Sequence, residues 1–368
     1  MKTIYLKGSP YEIGLQTGKT FSKQIKEYVK YRKETLLYEV SKEEYTISMY
    51  DIYQLILPIL QNPWVKDCTL EELYGVADGA HVDIVDVFMA IGYTDILDLC
   101  ISRLCLQNEK RQYSNERNQE CTTFTIRNNN KLYLGQNWDM DPVSSENICL
   151  FFKQYSSGSR LLSLSTILGA THIGMNDKGT AVGTANLSSY INREGIIFPQ
   201  VIQRLLLSRC KQSNLDFINL NNRMAGHYYY VGYSDHSCHL FETTADNYFD
   251  FGVDKKGDFK FSHTNHYQYS AFTEVSNNYS SSSNMRKHNM DIILNKYATI
   301  EMTQININRL FNDLGDHKYG ICRHVTDEDT IMTCASVMFI PQEKIAYICE
   351  GTPCKGRWVQ YDLTNVFQ

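Results

Sequence analysis

The chain has 368 residues, enough for one large domain or up to three smaller ones. Hydrophobic residues at 43% and charged residues at 21% are ordinary for a globular chain, and the net charge of -5 excludes a generally basic nucleic-acid binder. Gly 21 and Pro 7 exclude collagen-like and broadly disordered chains. No apolar run reaches the roughly 18–20 residues that cross a bilayer, and the first one breaks at Lys7, which argues against a secretory signal. The expectation is a cytoplasmic protein with no membrane or nucleic-acid partner.

The first 105 residues read as helical. Ser9-Pro10-Tyr11-Glu12 is a capping box with proline at the first helical position, and one long charged helix is expected through about Val40. A second helix, DIYQLILPIL, is expected to break at Pro58. Thr69 with Glu72 forms another capping box ahead of EELYGVADGA, and Asp83 opens a helix over VDVFMAIGYTDILDLC. Residues 106–120 are polar and read as an exposed loop.

At Cys121 the pattern becomes β-rich. CTTFTIR, KLYLGQNW, ICLFFKQY, RLLSLSTI and GTAVGTANL read as strands, with turns at Asn128-Asn129-Asn130 and Ser157-Gly158. Helices over IIFPQVIQRLLLSRC and LDFINLNNRM precede a second strand set, HYYYVGYS, HLFETT, YFDFGV and KFSHTNHY. Two more helices fit SSNMRKHNMDIILNKYA and TQININRLFNDLG, and a hairpin over IMTCASVMFI-PQEKIA-YICEG follows. The serine run 280–283 reads as a loop and helix cap, the tyrosines at 228–230 as strand, and Arg286 as helix surface. The order implies an α+β chain whose separated strand groups pair into large antiparallel sheets.

The eleven cysteines are scattered, with no CxxC pair and no metal-type Cys/His cluster. One of them, Cys121, sits where the polar loop meets the first strand of the β-rich region. LGQNWDMDP follows at 134–142, so a turn at Asn128–Asn130 brings Asp139 close to Cys121.

Four segments in order, GSPYEIGLQTG (8–18), CTTF with LGQNWDMDP (121–142), GMNDKGTAVGTANL (174–187), and GICRHVTDEDTIMTCASVMF with EGTPCKGRWVQYDL (320–339 and 350–363), give the chain its likeness. It resembles the acyl-CoA:6-aminopenicillanic acid acyltransferase family of N-terminal nucleophile (Ntn) hydrolases. The resemblance implies an α+β fold, a four-layer αββα sandwich with two stacked antiparallel sheets. It implies a precursor that cuts itself between Glu120 and Cys121. Residues 1–120 would then be a helical α fragment and 121–368 the catalytic β fragment, remaining associated as one folded unit.

Such a cysteine carries its own base. A free thiol has a pKa near ~8.5, and an α-amine of about 7.7–8.0 is well placed to take its proton, so no catalytic histidine is required. The resemblance assigns Asp139 to a place beside Cys121, Asn186 and Asn265 to oxyanion stabilisation, and Arg323 to holding the Asp139 carboxylate or a substrate carboxylate. Gln136 stands where the related bile-salt hydrolase and penicillin V acylase branch has arginine, which implies a different substrate pocket. Glu120 replaces the glycine that precedes the nucleophile in the acyltransferase naming the family, and a bulkier, charged residue there either slows the N-to-S acyl shift or needs a partner.

The expected activity is hydrolysis or acyl transfer on a small linear acyl amide, such as an N-acyl amino acid or β-lactam side chain, through a thioester. No cofactor is expected: no P-loop or Rossmann glycine motif marks a coenzyme A site. Two alternatives stand beside it. One is an unprocessed, inactive family member acting as a binding or scaffold protein. The other is a papain-like thiol enzyme, which would need His172, His263, His266 or His324 beside the thiol.

Overall fold

The structure is a computed structural model that describes every residue except 44, 108–119, 209, 221, 253–256, 275–280, 298–309, 312–318, 328 and 368. Most of the polar loop expected at 106–120, and nearly all of the helix expected over TQININRLFNDLG, therefore lie outside the described residues.

Two sheets form the centre. The larger has eight strands in the order β1 (Lys2–Gly8), β4 (Ile148–Tyr155), β5 (Arg160–Thr166), β6 (Ile173–Asn176), β7 (Ala181–Asn186), β8 (His227–Gly232), β9 (Cys238–Thr243) and β10 (Tyr248–Asp250). The smaller has six, in the order β11 (Phe259–His263), β2 (Glu120–Asn128), β3 (Lys131–Met140), β12 (Met332–Ile340), β13 (Ile345–Glu350) and β14 (Trp358–Asp362). Strands distant in sequence pair as expected: β11 with β2, and β12 with β3.

Alternation along β3 explains the stacking. Leu132, Leu134 and Trp138 turn inward and pack with Leu150, Phe152, Leu162 and Tyr230 of the larger sheet. Tyr133, on the other face of β3, joins Phe124, Met290 and Leu294, so α11 (Ser281–Tyr297) covers the smaller sheet. The outer face of the larger sheet is covered by α1 (Pro10–Thr20), α2 (Ser22–Lys42), α4 (Cys68–Ala80) and α8 (Phe198–Leu207) in one apolar cluster. The layers run α, β, β, α. Each fully buried Leu, Ile or Phe in them contributes roughly 1.5–3 kcal/mol.

The helical segment differs from its sequence pattern in five ways. It opens on a strand, because β1 pairs in parallel with β4 and seals the edge of the larger sheet. The long N-terminal helix is two helices, divided at the buried Phe21, whose ring meets Phe151 edge-on. Pro58 lies inside α3 (Met49–Gln61), where burial of Ile52, Ile56 and Ile59 outweighs one lost hydrogen bond four residues from the helix end. Asp67, rather than Thr69, caps α4 through Leu70 N–H. Asp83 caps α5 (Ile84–Ile91) as expected, but Gly92 separates it from α6 (Tyr93–Gln107).

The segment GSPYEIGLQTG has a packing cause. Gly14 and Gly18 of α1 face Gly75 and Gly79 of α4, and a Cβ at Gly14 would fall 1.8 Å from the Glu72 carbonyl oxygen. Only glycine lets these two backbones approach so closely.

Candidate active site

Cys121 is the second residue of β2, held by the β2–β3 hairpin. Asn129 and Asn130 both take positive φ (49° and 63°), as a tight primed hairpin turn requires. The register sets Cys121 opposite Trp138 and Glu120 opposite Asp139. Cys121, Gln136 and Trp138 thus share the face between the sheets, while Glu120, Thr122 and Asp139 share the face toward α11.

Around the thiol, Gln136 Nε2 lies 3.4 Å from Sγ and donates to Thr184 O at 2.7 Å. Burial pushes the Cys121 thiol up to about 12, and the charge of Asp139 adds to this; the Asp139 main-chain N–H and Gln136 pull the other way. The thiol is therefore protonated near neutral pH, and attack requires a proton acceptor within the site.

The Cys121 main chain is held by side chains from elsewhere in the fold. Its N–H donates to Asn265 Oδ1 at 2.7 Å, and Asn265 Nδ2 donates to Asn186 O at 3.0 Å. Arg286 Nη1 donates to Cys121 O at 2.6 Å and Thr122 Oγ1 at 2.9 Å, and its Nη2 donates to Asn265 Oδ1 at 3.0 Å. Arg286, expected on a helix surface, is fully buried on α11 at the centre of this web. The serine run before it joins in: Ser282 Oγ donates to Glu120 Oε2 at 2.9 Å, and Ser283 Oγ accepts from Asn265 N–H at 2.8 Å. An arginine following a serine cap on a helix of weak amphipathicity was the signal available in the sequence.

Glu120 has the partner its charge demands. Arg286 Nη2 lies 3.2 Å from its carboxylate, and Arg323 forms an ion pair with it. Arg323 also pairs with Asp329. It does not hold the Asp139 carboxylate, as the resemblance had implied, because Glu120 and Asp329 occupy its guanidinium. The link to Asp139 is indirect: Thr333 Oγ1 donates to Asp139 Oδ1 at 2.7 Å and accepts from Arg323 N–H at 2.9 Å. A bulge in β12 between Thr333 and Ala335 keeps Thr333 opposite Asp139.

Asp139 Oδ2 has no hydrogen-bond partner among the described residues. Burial raises its carboxyl to about 7, despite the opposing charge of Arg286. It is the group beside the thiol whose protonation state changes near neutral pH.

A cavity opens at Cys121 and is lined by Trp138, Tyr93 and Phe198 together with Asp139, Asn186 and Asn265. A second, larger one shares Arg32, Tyr93, Thr94 and Asn186 with it and reaches out along α2. Asn186 Oδ1 is buried without a hydrogen-bond partner among the described residues. Arg32, 2% exposed, donates to Tyr28 OH at 2.9 Å and stands over Tyr93 at 4.5 Å. Four of the five residues singled out in the sequence thus line one cavity, with Arg323 just behind through Glu120. The places of Arg286 and Arg32 in the site were not foreseen.

His172 and His227 line the cavity too, but with His263 they are engaged by other groups. His263 meets Glu242 at 2.7 Å, His227 meets Asp95 at 2.6 Å, and His172 stacks on Trp138 at 5.0 Å. No histidine is a hydrogen-bond partner of Cys121 among the described residues, which leaves a papain-like pair without its base. One expectation about the cysteines fails: Cys322, His324 and Cys354 do converge, because the β13–β14 loop folds back on the segment before β12.

A thiol at a strand start, an asparagine at its main chain and a buried carboxyl beside it, in an αββα sandwich, match an amide hydrolase or acyltransferase of the Ntn type. The family model described as acyl-coenzyme A:6-aminopenicillanic acid acyl-transferase matches residues 126–355, and the chain belongs to that family. Among solved structures, two variants of the conjugated bile acid hydrolase from Clostridium perfringens are 12% identical, with TM-scores of 0.41 and 0.44, covering 66% of this chain and 92% and 93% of theirs. The penicillin V acylase from Agrobacterium tumefaciens is 12% identical with a TM-score of 0.44, covering 67% of this chain and 86% of its own. No curated protein matches. No described helix is long and apolar enough to cross a membrane.

Proposed function

We propose that the chain is a cytoplasmic, self-processing N-terminal-cysteine enzyme that hydrolyses small linear acyl amides. The observation that carries this is the dedicated acceptor at Cys121 N: Asn265 Oδ1, at 2.7 Å, is already in place for the amine that cleavage would create.

In processing, Cys121 Sγ attacks the Glu120 carbonyl carbon and the thiol proton passes to Asp139. Asp139 returns that proton to the Cys121 nitrogen as the Glu120–Cys121 C–N bond breaks, leaving a thioester and a free amine. Water then hydrolyses the thioester, releasing the Glu120 carboxylate and restoring the thiol. In turnover the freed amine takes the thiol proton, Sγ attacks the substrate carbonyl, the amine product leaves, and water resolves the thioester. Asn186 and Asn265 are the polar groups beside the developing oxyanion.

The cavity walls Tyr93, Trp138 and Phe198 suit an aromatic or aliphatic acyl group, and Arg32 at the junction of the two cavities suits a carboxylate on the amine side. N-acyl amino acids and β-lactam side chains have this form. The two fragments should remain together, since β1 is a strand of the larger sheet and Glu72 of α4 forms a buried ion pair with Lys153 of β4.

Intact-mass measurement of the purified chain, with Cys121→Ala as control, tests the proposal. Fragments 1–120 and 121–368 in the wild type alone support it, together with Cys121-dependent amine release from N-acyl amino acids. An intact wild-type chain that is inert to these amides would instead leave an unprocessed binding protein.

A further inference from the structure

We propose that Cys322, His324 and Cys354 form a binding site for one borderline-soft divalent cation, with zinc as the best match and water as the fourth ligand. The three ligand atoms lie within 4.8 Å of one another. His324 Nε2 is 3.6 Å from Cys322 Sγ and 3.3 Å from Cys354 Sγ. A tetrahedral zinc with bonds of about 2.3 Å to sulfur and 2.0–2.1 Å to nitrogen sets those atoms roughly 3.5–3.6 Å apart. The two observed separations bracket that value.

The three side chains converge on one another: His324 Nε2 meets both thiols, and the Cys322 thiol also meets Cys354. A cation between the three takes a lone pair from each. Two sulfurs and an imidazole nitrogen select zinc over calcium or magnesium, which demand oxygen ligands. Binding exchanges two S–H bonds for two metal–sulfur bonds, both protons pass to solvent, and no electron moves.

The scaffold is suited to the task. Cys322 is fully buried, whereas His324 and Cys354 are half-buried, so water can reach the fourth position. The loop carrying Cys354 is fixed by Gly351 N–H to Cys334 O at 2.8 Å and by Gly356 N–H to Thr352 O at 2.8 Å. Two of the ligands flank Arg323, whose own side chain goes to Glu120 and Asp329. The cation would thereby tie the segment that neutralises Glu120 to the β13–β14 loop. The site itself does not depend on whether the chain is cleaved.

The test is a Co²⁺ titration of the reduced, chelator-treated full chain under nitrogen. The expected result is one equivalent bound, with a thiolate-to-cobalt charge-transfer band and tetrahedral d–d bands, all abolished by one equivalent of Zn²⁺. Cys354→Ser and His324→Ala should each weaken binding by about 100-fold or more, whereas Cys121→Ala and Cys210→Ser should leave the spectrum unchanged. Circular dichroism establishes that each variant is folded. No charge-transfer band in the wild type overturns the proposal, as does a band that survives both ligand substitutions or is lost in Cys121→Ala. Peptide mapping that finds a Cys322–Cys354 disulfide in freshly isolated protein overturns it equally.

Discussion

Two buried glutamates show how this fold separates stability from chemistry. Glu72 is 0% exposed, and Lys153, also 0% exposed, meets its Oε1 at 2.6 Å. Tyr155 OH and Gln203 Nε2 donate to its Oε2 at 3.0 and 3.1 Å, and the Lys153 ammonium donates once more, to Gly169 O at 2.8 Å. One anion faces one cation, and both are saturated. Glu120 is 6% exposed and has two cations, Arg286 and Arg323, but Asp139 and Asp329 crowd the same cluster. Burial, with the charge of Asp329 adding to it, leaves a proton on Asp139 that is lost near neutral pH. A saturated pair fixes helices to a sheet; an unsaturated cluster leaves Asp139 Oδ2 without a hydrogen-bond partner among the described residues.

The comparison is broken most directly at the thiol. Cys121→Ala should abolish both cleavage and amide turnover, since no other group at the site can form the thioester. Intact mass and amine release are the readouts. The loss should come without unfolding, because removing one small sulfur from a strand start disturbs little packing. Residual turnover above background would mean that the seam is not the reacting centre.

The saturated pair should behave in the opposite way. Lys153→Met leaves Glu72 buried without its cation, and breaking such a pair costs about 3–5 kcal/mol. Denaturant unfolding should register that loss, while the folded fraction still cleaves at the wild-type rate. In cleaved protein the two fragments should separate at lower denaturant on a sizing column. A cleavage defect matching the stability defect would show that the helical layer acts on the seam after all.

Much of this was legible in the sequence, and the reasons are local. Ser9 to Glu12 announced a helix start because a capping box is completed within four residues. The β2–β3 hairpin was readable from Asn128–Asn130, and with it the nearness of Cys121 and Asp139. Arg286 was not readable. Its burial depends on Glu120, Cys121 and Asn265, which lie 21 to 166 positions away and arrive only when β11 pairs with β2. The metal-type triad escaped for the same reason, since 30 residues and two strands separate His324 from Cys354. β1 looked like a helix lead-in because its partner, β4, lies about 147 residues ahead.

Asp139→Asn sharpens the contrast within the seam. It removes the proton acceptor but keeps the Thr333 hydrogen bond, and the expected loss is roughly 100-fold in the cleavage rate. In the wild type the rate should rise with pH through about 7, where Asp139 ionises, and then level; the variant should lack this rise. The stability sign is the reverse. Because the folded-state value is raised from 3.8 to about 7, Asp139 favours the fold fully below 3.8 and loses that contribution as pH climbs to about 7. Thermal melts of the variant should therefore fall less steeply across that window than those of the wild type. Parallel curves for the two proteins would remove Asp139 from the role given to it.

The smallest effect should come from the exposed end of the helical layer. Ser9 Oγ accepts from Glu12 N–H at 3.3 Å, and Glu12 Oε2 accepts from Ser9 N–H at 2.7 Å. Ser9→Ala removes the first of these and leaves the second, at a cost of about 1 kcal/mol. For a chain of this size that is a fall of roughly 1–3 °C in Tm. Hydrogen bonds to the Glu12 carboxyl from the Ser9 main-chain N–H and the Ser9 side chain hold it below its ordinary value, so the intact cap acts above the usual carboxylate range and weakens as pH falls through it. The difference between wild type and Ser9→Ala should accordingly shrink in acid. Cleavage should proceed unchanged, because nothing in the cap touches β2, α11 or the cavity. If so small a loss at α1 slowed the Glu120–Cys121 step as much as Asp139→Asn does, the seam would not be insulated from the layer that covers it, and the division between the two glutamates would fail.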